Sequence, residues 1–181
     1  MYLDSMIPAL IAVSCAGLFA SASGQKARAP REFVGQVAAY ALVPRMAVTC
    51  VAYVLIALEM LVAVLLLPPR FRSLAAVTGS ALLLLYGIGM LVNLWRGRRA
   101  LDCGCMGPYA VRPIAYWMVW RNGALAVLLA CAALPSAARP WAFTDVVTLL
   151  CGVAVIVVLY QTTDELFGRV LPAAKHLRTQ T

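Results

Sequence analysis

Charge is what this sequence has least of. Only 12% of its 181 residues are Asp, Glu, Lys or Arg, whereas 64% are hydrophobic and the mean hydropathy is +0.88. Soluble domains carry about 25% charged residues, so this composition excludes a soluble globular enzyme. It describes a membrane protein with several spans and no large soluble domain. Acids are scarcer than bases, 7 against 15, giving a net charge of +8. In a soluble protein that surplus would suggest nucleic acid. In a chain this apolar it reports topology and contact with the anionic surface of a lipid bilayer, and no nucleic-acid partner is expected.

Other absences narrow the reading further. There is one histidine, His176, alone in the C-terminal tail. Zinc normally takes four ligands, and two nearby cysteines without a histidine do not make such a site. Copper(I), which suits thiolates, is the less demanding alternative. No metal or cofactor is expected, and no stretch identifies a quinone site or a haem attachment. Long-period repeats and low-complexity linkers are missing. The positive segment that precedes a signal peptide is missing too, since Asp4 is the one charge ahead of the first apolar run. Ala20-Ser21-Ala22 could pass for a cleavage site. The run is nevertheless read as a retained helix with its N-terminus outside, a cleaved signal being the alternative.

Five apolar runs are present, over residues 3–23, 45–67, 73–95, 116–134 and 143–160. Each approaches the roughly 20 residues a helix needs to cross a bilayer. The expected fold is all-α: a four-helix transmembrane bundle over 3–134, a fifth C-terminal transmembrane helix within 141–160, and a polar tail over 161–181. Between runs one and two, residues 24–43 are polar and basic, and Pro30 argues against a continuous helix there. Pro68-Pro69 leaves a very short turn, so runs two and three form an antiparallel hairpin. Gly79, Ser80, Gly87 and Gly89 offer small residues for helix contacts.

The chemistry concentrates in the loop at 96–113, which contains Arg96-Gly97-Arg98-Arg99-Ala100-Leu101-Asp102-Cys103-Gly104-Cys105-Met106-Gly107-Pro108. A thiol pair closes only through a tight turn, because a disulfide holds its Cα atoms roughly 4.4–6.8 Å apart. Gly104 permits that turn. So small a ring is strained, and strained disulfides are the labile, redox-active ones. The nearby arginines favour thiolate; Asp102 acts in the opposite sense and could accept a proton. The plain alternative is a pair of structural or incidental loop thiols.

Glu59 is the costliest side chain in the sequence, because an intramembrane acid needs a partner inside the bundle. It is either a neutral, hydrogen-bonded lock between helices or a proton carrier coupled to dithiol exchange. Arg121 is a tempting partner but enters run four only about two turns deep. Arg121 and Asn122 are better placed to meet Asn93 or the loop itself. Cys15, Cys50, Cys131 and Cys151 read as small apolar packing residues. Cys50, near the same membrane face as the cysteine pair, is a candidate relay.

One series of features runs from Phe19, Lys26, Tyr40-Ala41-Leu42-Val43-Pro44 and Glu59 through Asn93, Arg96-Gly97-Arg98, Asp102-Cys103-Gly104-Cys105-Met106-Gly107 and Arg121-Asn122. In that order these features resemble the methylamine utilisation protein MauE family, which belongs with the DoxX-like membrane proteins. The likeness spans residues 3–134 and leaves run five outside. Members usually have an aromatic residue where this chain has Met106. The resemblance implies a four-helix membrane unit that supports maturation of an exported, disulfide-rich protein. In the namesake system that client is the small subunit of methylamine dehydrogenase, served together with a thioredoxin-like partner.

The expected function is therefore a thiol–disulfide oxidoreductase of the bacterial inner membrane, exchanging disulfides through Cys103 and Cys105. Asp102, Gly104, Gly107, Arg96, Arg98, Asn93, Arg121, Asn122 and Glu59 are expected to support them. Two alternatives stand beside it: a non-catalytic chaperone or docking subunit, and a small-solute or metal transporter using Glu59 and Arg121. Basic residues on the loop side number eleven against three, which places the Cys-Gly-Cys loop in the cytoplasm. A client matured outside would want the pair outside. Electron import from a cytosolic reductant resolves that tension, as does a loop folded back into the bundle.

Overall fold

The structure, a computed structural model, describes residues 3–4, 6–101, 113–134, 136–137 and 142–166. Its helices are α1 (Met6–Arg28), α2 (Pro30–Tyr40), α3 (Val48–Leu65), α4 (Pro69–Trp95), α5 (Tyr116–Cys131) and α6 (Phe143–Glu165). Two residues of β1 (Leu3–Asp4) pair in parallel with two of β2 (Ser136–Ala137). The chain divides into two units, residues 1–138 and 139–181. The first holds α1 to α5 and the second holds α6.

Local chemistry sets most of the boundaries. Pro30 and Pro69 each open a helix, where the missing N–H has no intrahelical partner to lose. The break expected at Pro30 falls on Ala29, at φ −133° and ψ 60°. Nothing earlier interrupts α1, so it runs through Gly24 and Lys26 to Arg28 instead of stopping near residue 23. The segment 24–43, expected as a polar connection, is thus the end of α1 followed by α2. Four other bounds shift by a turn or so: α1 begins at Met6, α3 begins at Val48, α4 begins at Pro69, and α6 continues to Glu165.

Side-chain layers give the directions of the helices. At Gly79 of α4, an added Cβ would lie 2.7 Å from Leu129 Cδ2, 3.0 Å from Val62 Cγ1 and 3.2 Å from Phe19 Cε2. Four helices therefore meet at that one position. Seven residues onward on both α1 and α4, Lys26 and Tyr86 meet Glu59, three residues earlier on α3 than Val62. Hence α1 and α4 run one way and α3 the other. Ser80 Oγ donates to the Ala126 carbonyl at 2.9 Å, and Asn122 Cβ faces Gly87, so α5 also runs against α4. The unit is an up-down-up-down bundle. Its β1–β2 pairing joins the start of α1 to the chain just past α5, as that topology requires.

By length and composition, α1, α3, α4 and residues 143–163 of α6 can each cross a membrane. Helix α5 has 16 residues, about 24 Å at 1.5 Å per residue, short of the ~30 Å apolar thickness of a bilayer. Its run does not stop at Cys131. Backbone N–H groups of Ala132, Ala133 and Leu134 bond three residues back, at 3.0, 3.0 and 3.2 Å, and carry it as tight turns to residue 134.

Candidate functional site

The buried charge sits in the second of those layers. Lys26, in the last turn of α1, is 5% exposed, and Glu59, in the second turn from the end of α3, is 1% exposed. Helical side chains lean toward the N-terminus of their own helix. Because α3 opposes α1 and α4, Glu59 leans one way while Lys26 and Tyr86 lean the other, and the three tips converge. Lys26 Nζ donates to Glu59 Oε1 in a close ion pair. Tyr86 Oη donates to the same oxygen at 2.5 Å. The ammonium also lies 4.7 Å from the centre of the Tyr86 ring and 4.9 Å from that of Phe33. An isolated charge in such a place would be strongly disfavoured, whereas a pair with aromatic faces around its cation is sustainable. The position of Lys26 near a helix C-terminus adds the favourable end of the α1 dipole. Among the described residues, nothing hydrogen-bonds to the buried Glu59 Oε2.

Glu59 therefore has a partner, and it is Lys26. Arg121 instead lies over the Trp117 ring, four residues back on α5, at 5.1 Å. Asn122 is buried against Gly87, six residues before Asn93 on α4, about 9 Å lower along the axis. Lys26 must also leave the tally of surface cations, because it is inside the bundle.

A second polar group closes the far end of α4. Gly97, at φ +76°, ends the helix: its N–H bonds Leu94 O at 3.0 Å and the Arg98 N–H bonds Asn93 O at 3.0 Å. This is a Schellman ending, and only glycine adopts that backbone freely. The turn brings the Arg98 guanidinium to Asn93 Oδ1 at 3.4 Å. Asn93, fully buried, donates to the carbonyls of Gly89 at 3.1 Å and Tyr40 at 3.2 Å. Arg96 is the exposed cap residue of the same ending. Asn93, Arg96 and Arg98 thus form one construction, tying α2 to the end of α4.

Asp102, Cys103, Gly104, Cys105, Met106, Gly107 and Arg112 lie outside the described residues. The residues on either side of that segment are bonded to each other: the Ile114 N–H donates to Leu101 O at 2.9 Å. Ile114 and Leu101 also pack with Met90, Leu94 and Met118 in a small apolar cluster at this end of the bundle. Of the other cysteines, Cys15 is buried in the core, as a packing residue would be, whereas Cys50 and Cys131 are exposed on α3 and α5 and fill no core. Cys151 is exposed on α6. Among the described residues, no three His, Cys, Asp or Glu side chains converge to hold a metal.

A pocket of about 190 Å³ opens between α2, α3 and α4, with Lys26 and Tyr86 at one end and Tyr40, Gly89 and Met90 toward the Asn93 end. Sequence reasoning missed Tyr86 and Phe33 altogether and placed Lys26 in a loop. The available signal was that no proline separates Lys26 from the apolar run before it, the next being Pro30.

The family model of methylamine utilisation protein MauE matches residues 4–135. The methylamine utilization protein MauE of Methylophilus methylotrophus is 34% identical over 175 residues, covering 96% of this chain and 91% of the relative. That of Paracoccus versutus is 40% identical over 159 residues, with coverage of 87% and 84%. That of Paracoccus denitrificans is 36% identical over 152 residues, with coverage of 83% and 82%. The first of these alignments reaches well past residue 135, so similarity continues into α6, beyond the expected limit near 134. No solved structure matches the chain.

Proposed function

The chain belongs to the methylamine utilisation protein MauE family, and from that premise we propose that this multi-pass membrane protein serves methylamine utilisation as a thiol–disulfide redox protein. Cys103 and Cys105 are the exchanging pair. The client is an exported disulfide-containing protein, of the methylamine dehydrogenase small-subunit type, reached together with a thioredoxin-like partner. The observation that carries the reading is the construction from which the Cys-Gly-Cys segment departs. Asn93 and Arg98 fix the end of α4, and Leu101 and Ile114 are bonded across the base of the segment. A dithiol working on a partner needs a firm mount and nearby cations that favour thiolate, and Arg96, Arg98 and Arg99 supply those cations.

The exchange balances as follows. One thiolate of the pair attacks a disulfide of the partner, forming a mixed disulfide and releasing a partner thiolate, which takes up a proton. The second cysteine gives up its proton and attacks the mixed disulfide. That closes the Cys103–Cys105 bond and releases the partner as a dithiol, two electrons having passed from the pair to the partner. Run in reverse, the same steps carry electrons the other way.

With Lys26 removed from the count, basic residues still stand ten against three in favour of the loop side. We therefore orient that side toward the cytoplasm of a bacterial inner membrane. Helix α5 with its terminal turns, added to the four longer helices, gives five crossings.

The test is client maturation in cells carrying Cys103→Ser, Cys105→Ser or both. One single variant should accumulate a mixed disulfide with a thioredoxin-like protein, and the double variant should lose client maturation. Full maturation in the double variant would instead establish a docking subunit with dispensable thiols.

A further inference from the structure

The pocket between α2, α3 and α4 has features that thiol exchange does not use. Its walls are almost wholly apolar and include three aromatic rings, Phe33, Tyr40 and Tyr86. At its inner end is a buried ammonium. Lys26 makes hydrogen bonds to Glu59 and, at 3.4 Å, to Tyr86, and an ammonium has three protons to donate. At its outer end are Leu42 and Leu85, which line the pocket while remaining 44% and 54% exposed. Leu85 is eleven residues before Arg96, about 16 Å along the axis of α4. That rim consequently falls within the apolar length of a spanning helix and opens toward lipid.

Size, shape and charge together select an occupant. A cavity of about 150 Å³ holds benzene, so about 190 Å³ takes one substituted ring and no long chain. Any tail must leave through the rim. Flat walls of aromatic residues favour a flat guest. Lys26 is already neutralised by Glu59, whose Oε2 has no hydrogen-bond partner among the described residues. A second carboxylate brought into this low-dielectric site would itself be a negative charge with no cation left to compensate it. A neutral oxygen acceptor carries no such penalty and takes the remaining ammonium proton.

We propose that this pocket binds the ring of a neutral, lipid-soluble carbonyl compound of the quinone type, which enters between Leu42 and Leu85 with a ring oxygen accepting from Lys26. The claim concerns binding alone and does not depend on the cysteine pair.

The test uses the full chain in nanodiscs and measures retention of decylubiquinone above that of empty nanodiscs. Saturable retention of one probe per chain is expected. Gly89→Leu should weaken it at least tenfold. The first added carbon at Gly89 sits at ordinary contact, 3.5 Å from Leu42 Cδ1 and 3.7 Å from Tyr40 Cδ1, so a longer side chain grows into the cavity. Gly89→Ala should change affinity by less than about twofold. Leu85→Trp narrows the rim from an exposed position, and should also weaken binding if Gly89→Leu proves unable to fold. Retention no greater than that of empty nanodiscs, or unchanged in both Gly89→Leu and Leu85→Trp, would overturn the proposal. Displacement of the probe by laurate at concentrations where a short-chain ring ketone fails would overturn the assignment to a neutral carbonyl. The Cys103→Ser/Cys105→Ser variant should bind as the parent does, so failure of thiol exchange and failure of this site are separately visible.

Discussion

Two successive layers of the same bundle, seven residues or about 10 Å apart along α4, are held by opposite means. At Gly79 the contacts are Phe19, Val62 and Leu129, all buried and apolar, approaching a position with no side chain. At Tyr86 the contacts are Lys26 and Glu59, a charge pair with a phenol donating to the same carboxylate. Between helices in a bilayer the hydrophobic effect supplies little, because lipid tails are as apolar as leucine; close packing at small residues and polar contacts remain. The Gly79 layer uses the first and the Lys26 layer uses the second. A layer of interlocked apolar shapes has one arrangement. A layer built on donors and acceptors depends on every partner being present, and it adjoins the pocket. The first layer sets the geometry of the unit, and the second makes that geometry conditional.

The sharpest way to break this contrast is to remove one charge. Lys26→Met leaves Glu59 buried without its cation, and losing one partner of a buried pair costs about 3–5 kcal/mol. Thermal unfolding of the detergent-solubilised protein should register that as the largest loss of any single change considered. Replacing both, as Lys26→Met/Glu59→Leu, should recover most of it, since an apolar pair of similar size is often neutral relative to an ion pair. If the double variant were instead as unstable as the two single losses added together, the Lys26 layer would be held by shape, as the Gly79 layer is.

The matching change in the other layer is smaller. Gly79→Val drives two methyl groups into Val62 and Leu129, and overpacking of this kind costs about 1–3 kcal/mol. Gly79→Ala should cost less, because alanine regains about 1 kcal/mol of helix propensity over glycine. No second-site removal of charge should rescue either variant. The same unfolding measurement checks the order: Lys26→Met below Gly79→Val, and Gly79→Val below Gly79→Ala. A Gly79→Val protein as stable as the parent would mean that this layer is loosely packed.

How far the sequence foretells these layers depends on whether the signal is local. The small residues of α4 do: Gly79, Ser80 and Gly87 all lie at helix contacts, as their spacing in an apolar run suggests. The burial of Glu59 is legible too, because a lone acid in such a run has nowhere else to go. Its partner is not. Lys26 is 33 residues away, in a stretch whose composition resembles a connection, and composition does not say how far a helix continues past its last apolar residue. Tyr86 is hidden among leucines, where an aromatic is unremarked. The pocket draws on α1 to α4 and the α2–α3 connection, so no single window of sequence contains it. Arg121 and Trp117, four residues apart on one helix, are the opposite case: their contact follows from the helical period alone.

The smallest expected effect lies outside both layers, at the end of α4. Gly97 has φ +76° and, among the described residues, nothing within 4 Å of an added Cβ, so the cost of Gly97→Ala is that of the left-handed backbone, about 1–2 kcal/mol. Gly97→Asn should cost less than Gly97→Ala, because asparagine tolerates that region better than alanine does. The thermal shift should therefore be smaller for Gly97→Asn than for Gly97→Ala. The greater consequence should be seen as faster hydrogen exchange at the Arg98 amide, whose bond to Asn93 depends on the turn. A Gly97→Ala loss well beyond the about 2 kcal/mol that the left-handed backbone accounts for would show that the Asn93–Arg98 ending supports the whole unit. It would then act as a third layer, and stability in this bundle would no longer divide between shape and charge.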